Sequence, residues 1–156
     1  MRRSMRAMMA VVACAGLFMA GSAAGHCEIP CGIYGDRMRV KMLEEHCQTV
    51  EKSMKQVKEL QADPSGNANQ LVRWVVNKED HANKIQEIVY QYFMNQRVKP
   101  VDEGEGETYK SYVKQITLLH GMLVQAMKCK QTTDEAHVEK LRSLLDAFEK
   151  AYFHEH

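Results

Sequence analysis

From Arg37 onward, apolar residues recur at the spacing of one helix face. Leu43, Cys47, Val50, Met54 and Val57 step by 4, 3, 4 and 3. Asp63-Pro64-Ser65-Gly66 interrupts that run with strong breakers. A second run carries Leu71, Trp74, Val75, Ala82, Ile85, Val89 and Tyr92. It decays into Arg97-Val98-Lys99-Pro100 and the acidic stretch Asp102-Glu103-Gly104-Glu105-Gly106-Glu107. Tyr112, Ile116, Leu119, Leu123 and Ala126 form the third run. Thr132-Thr133-Asp134-Glu135 reads as a helix cap with early acids. Val138, Leu141, Leu145, Phe148 and Tyr152 form the fourth. No alternating strand pattern competes. Four amphipathic segments with short connections in about 115 residues predict an all-α fold, an antiparallel up-down four-helix bundle over about residues 37–153. The stripes of Leu, Val and Met read as core, and Cys47 on such a stripe reads as a small buried hydrophobe.

Before Arg37 the pattern changes. Three arginines and no acid stand in Met1-Arg2-Arg3-Ser4-Met5-Arg6, an apolar run spans residues 7–20, and small residues follow in Gly21-Ser22-Ala23-Ala24-Gly25. This is the order of a secretory signal peptide. The alternative is a retained membrane anchor, but the run falls short of the about 20 residues that a span needs. Gly25 at −1 and Ala23 at −3 suit cleavage before His26, and cuts after Ala24 or Ala23 also satisfy the small-residue rule. The expected organisation is a cleaved leader over residues 1–25 and a mature domain over 26–156. Export then ends in a periplasm, outside the cell or in an organelle lumen, with no membrane association once the leader is gone.

Composition matters mainly through this division. The chain of 156 residues is 45% hydrophobic and 26% charged, which excludes collagen-like and strongly disordered classes. Its 21 bases nearly balance 20 acids, so nothing points to nucleic acid as a partner. Without the three leader arginines, 18 bases face 20 acids. Cys14 leaves with the leader, and Cys27, Cys31, Cys47 and Cys129 remain with all seven histidines.

Residues 26–34, His26-Cys27-Glu28-Ile29-Pro30-Cys31-Gly32-Ile33-Tyr34, follow no helical pattern. Two thiols four residues apart beside a histidine allow three readings. A disulfide suits an exported protein. One histidine and two cysteines supply three zinc ligands. If cleavage frees the α-amino group of His26, that amine, the Cys27 amide nitrogen and the thiolates of Cys27 and Cys31 can form a planar N2S2 set, with the His26 imidazole as a fifth ligand. Planar N/S donation favours nickel(II) or copper(II) over zinc. Pro30 stiffens such a loop and Gly32 lets it turn tightly.

The pattern His-Cys-x-x-Pro-Cys-Gly-x-Tyr resembles the hook of nickel-containing superoxide dismutases. His26, Cys27, Pro30, Cys31, Gly32 and Tyr34 match its fixed positions. A processed leader, a hook and a four-helix bundle agree with that family's organisation, and residues 69–100 resemble the second helix of its cyanobacterial and algal branch. The resemblance implies superoxide as substrate and a nickel centre, one per subunit, alternating between the 2+ and 3+ states. It also implies His26, Cys27 and Cys31 as metal ligands. Tyr34 would be the catalytic side chain at the mouth of the site, and the subunits would form a hexamer. Glu28 and Gly35-Asp36 depart from the commoner residues of the family and are expected to change little. A carboxylate supporting the axial imidazole would lie in the first helix near Glu44 or Glu45, with Arg73 as a candidate supporting arginine. Two further readings stand beside the enzyme: an exported metal-binding bundle without turnover, and a structural bundle with a Cys27–Cys31 disulfide.

Other candidates read as ordinary structure. His46, His81, His120 and His137 are single histidines on helices. His154-Glu155-His156 is a polar tail. Tyr90, Tyr92, Tyr109 and Tyr112 read as packing residues. Cys129 is left open between pairing and a free thiol.

Overall fold

The computed structural model describes residues 30–153; the leader, His26, Cys27, His154 and His156 lie outside the described residues. The chain divides into two units, Met1–Cys31 and Gly32–His156, and of the first only Pro30 and Cys31 are described. The second unit is the predicted bundle. Helix α1 is Asp36–Leu60 and α2 is Pro64–Glu87. The latter continues without a break into a π-helical segment, Ile88–Arg97. A short 3-10 turn, Glu103–Glu105, precedes α3, Glu107–Gln131, and α4 is Ala136–Phe153. The four helices pack antiparallel in cyclic order, with the broadest faces between α1 and α2 and between α3 and α4.

The helix ends follow local chemistry. The breaker Asp63-Pro64-Ser65-Gly66 ends one helix and also starts the next. Asp63 caps α2, accepting from the Gly66 N–H at 3.1 Å, and Pro64 takes the first turn, where its missing donor costs nothing. The cap before α4 is equally local: Asp134 accepts from the Ala136 N–H at 3.0 Å. Backbone before α1 is irregular, and Gly32 adopts φ +77°, a left-handed conformation that glycine takes without strain.

The core largely follows the sequence stripes. Leu43, Cys47, Val50, Met54 and Val57 are all buried, as are Val138, Leu141, Leu145, Phe148 and Tyr152. On α3, Tyr112, Ile116 and Leu123 are only half-buried, and the larger departure is at the start of α2, where Leu71 and Trp74 are half-buried and Val75 is exposed. Lys78 explains why. Its Nζ donates to the Cys129 and Thr132 carbonyls at 2.8 and 3.4 Å, and to that of Lys130, so the C-terminal end of α3 lies level with Lys78. The turns of α2 before Lys78 run past the end of α3 and lack a third helix to bury against.

At the opposite end of the bundle, Phe93 stacks edge-on to Phe148, Tyr152 and Tyr92, with ring centroids 5.0, 5.6 and 5.0 Å apart. This aromatic cluster closes the end from which α1 starts.

Candidate functional site

Asp36, the first residue of α1, gathers three side chains from two other elements. Arg97 grips its carboxylate in a bidentate pair, Nε to Oδ1 at 2.9 Å and Nη2 to Oδ2 at 2.8 Å. The Tyr92 hydroxyl donates to Oδ1 at 2.5 Å and the Tyr152 hydroxyl to Oδ2 at 2.8 Å. Tyr92 also accepts the Gly35 N–H at 2.8 Å, so the backbone entering α1 is tied to the π segment.

The π segment is what lets Tyr92 and Arg97 act together. Five residues along an α-helix end about 140° away from the starting face. The i→i+5 bonding of a π-helix brings such a pair back to one side. The Val98 N–H to Phe93 carbonyl at 2.8 Å is a backbone bond of that span, and the Gln96 side chain donates through Nε2 to the Gln91 carbonyl at 2.9 Å.

The network positions Tyr34. The Arg97 guanidinium lies 4.3 Å from the centroid of the Tyr34 ring, a cation–π contact, and the edge of Tyr92 meets the same ring at 6.0 Å. Tyr34 keeps 40% of its surface exposed. Arg39 lies 5.0 Å from the Tyr92 ring and Arg37 4.2 Å from the Phe153 ring. Arg97 is thus the guanidinium on the Asp36 carboxylate, while Arg37 and Arg39 lie over neighbouring aromatic rings. Among the described residues, neither Arg37 nor Arg39 forms an ion pair.

Electrostatics keep this arrangement in one protonation state. Burial would raise the Asp36 carboxyl, but Arg97, Tyr92 and Tyr152 outweigh it and hold it below its usual value of 3.8. Burial and the bond to Asp36 push the Tyr92 and Tyr152 phenols up to about 12, so both remain donors at neutral pH.

The thiols separate clearly. Cys47 and Cys129 are free but fully buried, and burial pushes them to about 12 and about 11. Neither offers a thiolate to a metal in the folded protein. Cys31 is free and exposed. Of the proposed ligands it alone lies among the described residues, and its chemistry fits a metal-binding thiolate. Among those residues no group of three or more His, Cys, Asp or Glu side chains comes together.

Sequence reasoning had Tyr34 as a site residue but missed its supports. Asp36 belongs to the Gly35-Asp36 pair expected to matter little, and it is the hub of the network. Tyr92 does pack, as expected, but its hydroxyl is engaged on both sides. Arg73 is exposed about 35 Å down the helix from Arg97, which is the guanidinium that meets Tyr34. Glu44 and Glu45 are exposed on α1. The available signal was an acid opening α1 directly after the hook, with an arginine ending the second apolar run.

Comparison with curated proteins gives no match, nor does comparison with solved structures. The profile of one family, nickel-containing superoxide dismutase, matches residues 21–156. A hook-type sequence, an antiparallel bundle and a match over nearly the whole chain converge, and the protein belongs to the nickel-containing superoxide dismutase family.

Proposed function

We propose that residues 26–34 form the redox centre of this dismutase. His26 contributes its amine and imidazole, Cys27 its amide nitrogen and thiolate, and Cys31 its thiolate, to one nickel per subunit. The observation that carries this reading is the complete set of fixed hook positions, ending in an exposed free thiol at Cys31 and an anchored, accessible Tyr34.

Family membership implies that two superoxide anions and two protons become one O2 and one H2O2. Bound nickel supplies the one-electron couple for that exchange. The chain's own residues bring in the anion and supply hydrogen bonds. Arg97 lies over the Tyr34 ring and Arg39 over the adjoining Tyr92 ring, and superoxide is drawn to this positive charge. Tyr34 stays accessible to solvent while Arg97 holds its ring. That hydroxyl orders water and restricts which anions approach. Tyr92 and Tyr152 stay protonated and keep Asp36, and hence Arg97, in place.

The leader serves two purposes in this reading. It directs export to a periplasm, the exterior or an organelle lumen, and its removal by signal peptidase before His26 creates the metal-binding amine. The mature subunits then assemble as hexamers, for which exposed Val72, Val76 and Met38 supply apolar contact surface.

The test is dismutase activity measured with nickel content on the processed protein. Cys31→Ser should abolish both with helical content unchanged, whereas His26→Gln should keep the fold and lose most activity. Full activity in Cys31→Ser, or a mature N-terminus at a residue other than His26, overturns the ligand assignment.

A further inference from the structure

Two histidines that the site does not use meet in the middle of the bundle. His46 on α1 and His81 on α2 are 35 positions apart, yet their Nδ1 atoms lie 3.1 Å from each other. The rings cross at 77° with centroids 4.9 Å apart. Among the described residues, neither ring nitrogen bonds a carboxylate or a backbone carbonyl. One Nδ1 therefore carries a proton and the other receives it.

This pair has the properties of an open bidentate ligand. Burial lowers both pKa values, and for His46 the neighbouring His81 lowers it further, so both rings are neutral at pH 7. Neutral imidazole is the form that ligates metals. At metal–nitrogen distances of about 2.0–2.1 Å, nitrogens 3.1 Å apart subtend roughly 100°, between the square-planar and tetrahedral angles. Both nitrogens can face an ion once the donor ring moves its proton from Nδ1 to Nε2, which leaves the total proton count unchanged. Both rings are only half-buried, so water can complete the coordination. The charges nearby are Lys84, which opposes a cation, and Glu45 and Asp80, which offset it.

We infer that His46 and His81 form a second metal site, separate from the hook, that takes a borderline divalent cation such as Zn2+, Cu2+ or Ni2+ and cross-links α1 to α2. Imidazole donors without thiolate or carboxylate select that class over Mg2+ and Ca2+. The inference does not depend on the ligands assigned to the hook.

Zn2+ titration of the processed protein loaded with a single nickel equivalent tests it by calorimetry. His154→Gln and His156→Gln are built into the starting protein to remove the tail as a competing chelator. One zinc equivalent beyond the nickel is expected. It should be lost in His46→Gln and in His81→Gln, and kept in His120→Gln, which changes an exposed histidine on α3. Circular dichroism on each variant checks that the bundle is intact. No additional equivalent in the starting protein, or one that survives both His46→Gln and His81→Gln, overturns the inference. Loss of dismutase activity through the hook leaves this readout unaffected, so the two proposals fail separately.

Discussion

Asp36 carries more structure than any other single side chain here. It is 16% exposed, and its carboxylate accepts from Arg97, Tyr92 and Tyr152 at once. Asp36→Asn removes the charge and leaves Arg97 without its partner. Urea unfolding should show about 2 kcal/mol of lost stability at pH 7, the size of charge-assisted hydrogen bonds. The pH dependence has a definite sign. Because the folded carboxyl sits below its value of 3.8, the stabilisation is complete above about pH 4 and disappears as pH falls through the folded value. The stability gap between the unsubstituted protein and the Asp36→Asn variant should therefore close in acid, and a gap that widens below pH 4 would contradict the assignment. The cysteines give a second test. Iodoacetamide on the folded, metal-free protein should label Cys31 and spare Cys47 and Cys129, whose thiols are buried and protonated. Mass spectrometry of the digested protein reads this directly.

Individual elements owe their placement to a few polar contacts laid over apolar stripes. The π segment puts Tyr92 and Arg97 on one side of the chain, which a regular helix would not do with five-residue spacing. At the other end, Lys78 is only 4% exposed and caps α3 by donating to its last carbonyls. A cation is favoured there by the helix dipole as well as by the bonds. Lys78→Met keeps the length of the side chain but leaves those carbonyls without their donor. The expected cost is about 3 kcal/mol, or about 10 °C in Tm, read by thermal unfolding. Activity per folded, nickel-loaded protein should be unchanged, since Lys78 lies at the far end of the bundle from Tyr34.

Across the whole molecule, charge is distributed to suit a small anionic substrate. Residues 26–156 are slightly acidic, with 18 bases and 20 acids. Attraction of superoxide is therefore local in the proposed reading, with Arg97 over the Tyr34 ring and Arg39 over the adjoining Tyr92 ring. Arg39→Gln should lower kcat/KM by about 2–5-fold at low ionic strength and flatten its dependence on salt, as expected for steering. Stopped-flow rates at two salt concentrations suffice, and an unchanged salt dependence would remove Arg39 from that role.

The sequence by itself determined the helices, because apolar spacing of 3.6 residues leaves few alternatives over runs this long. It also determined the candidate chemistry, because the hook is a contiguous stretch whose residue types and order can be read without a fold. What it could not determine were contacts between distant positions. Asp36 with Arg97, Lys78 with the end of α3, and His46 with His81 are separated by 61, 51 and 35 residues. Each is a polar residue at an unexceptional helix position and acquires its meaning only from the neighbour that packing supplies. The π segment was hidden for a related reason. Its wider turn is a departure of the backbone that the apolar pattern does not encode, and tertiary contacts with Asp36 and the aromatic cluster decide it.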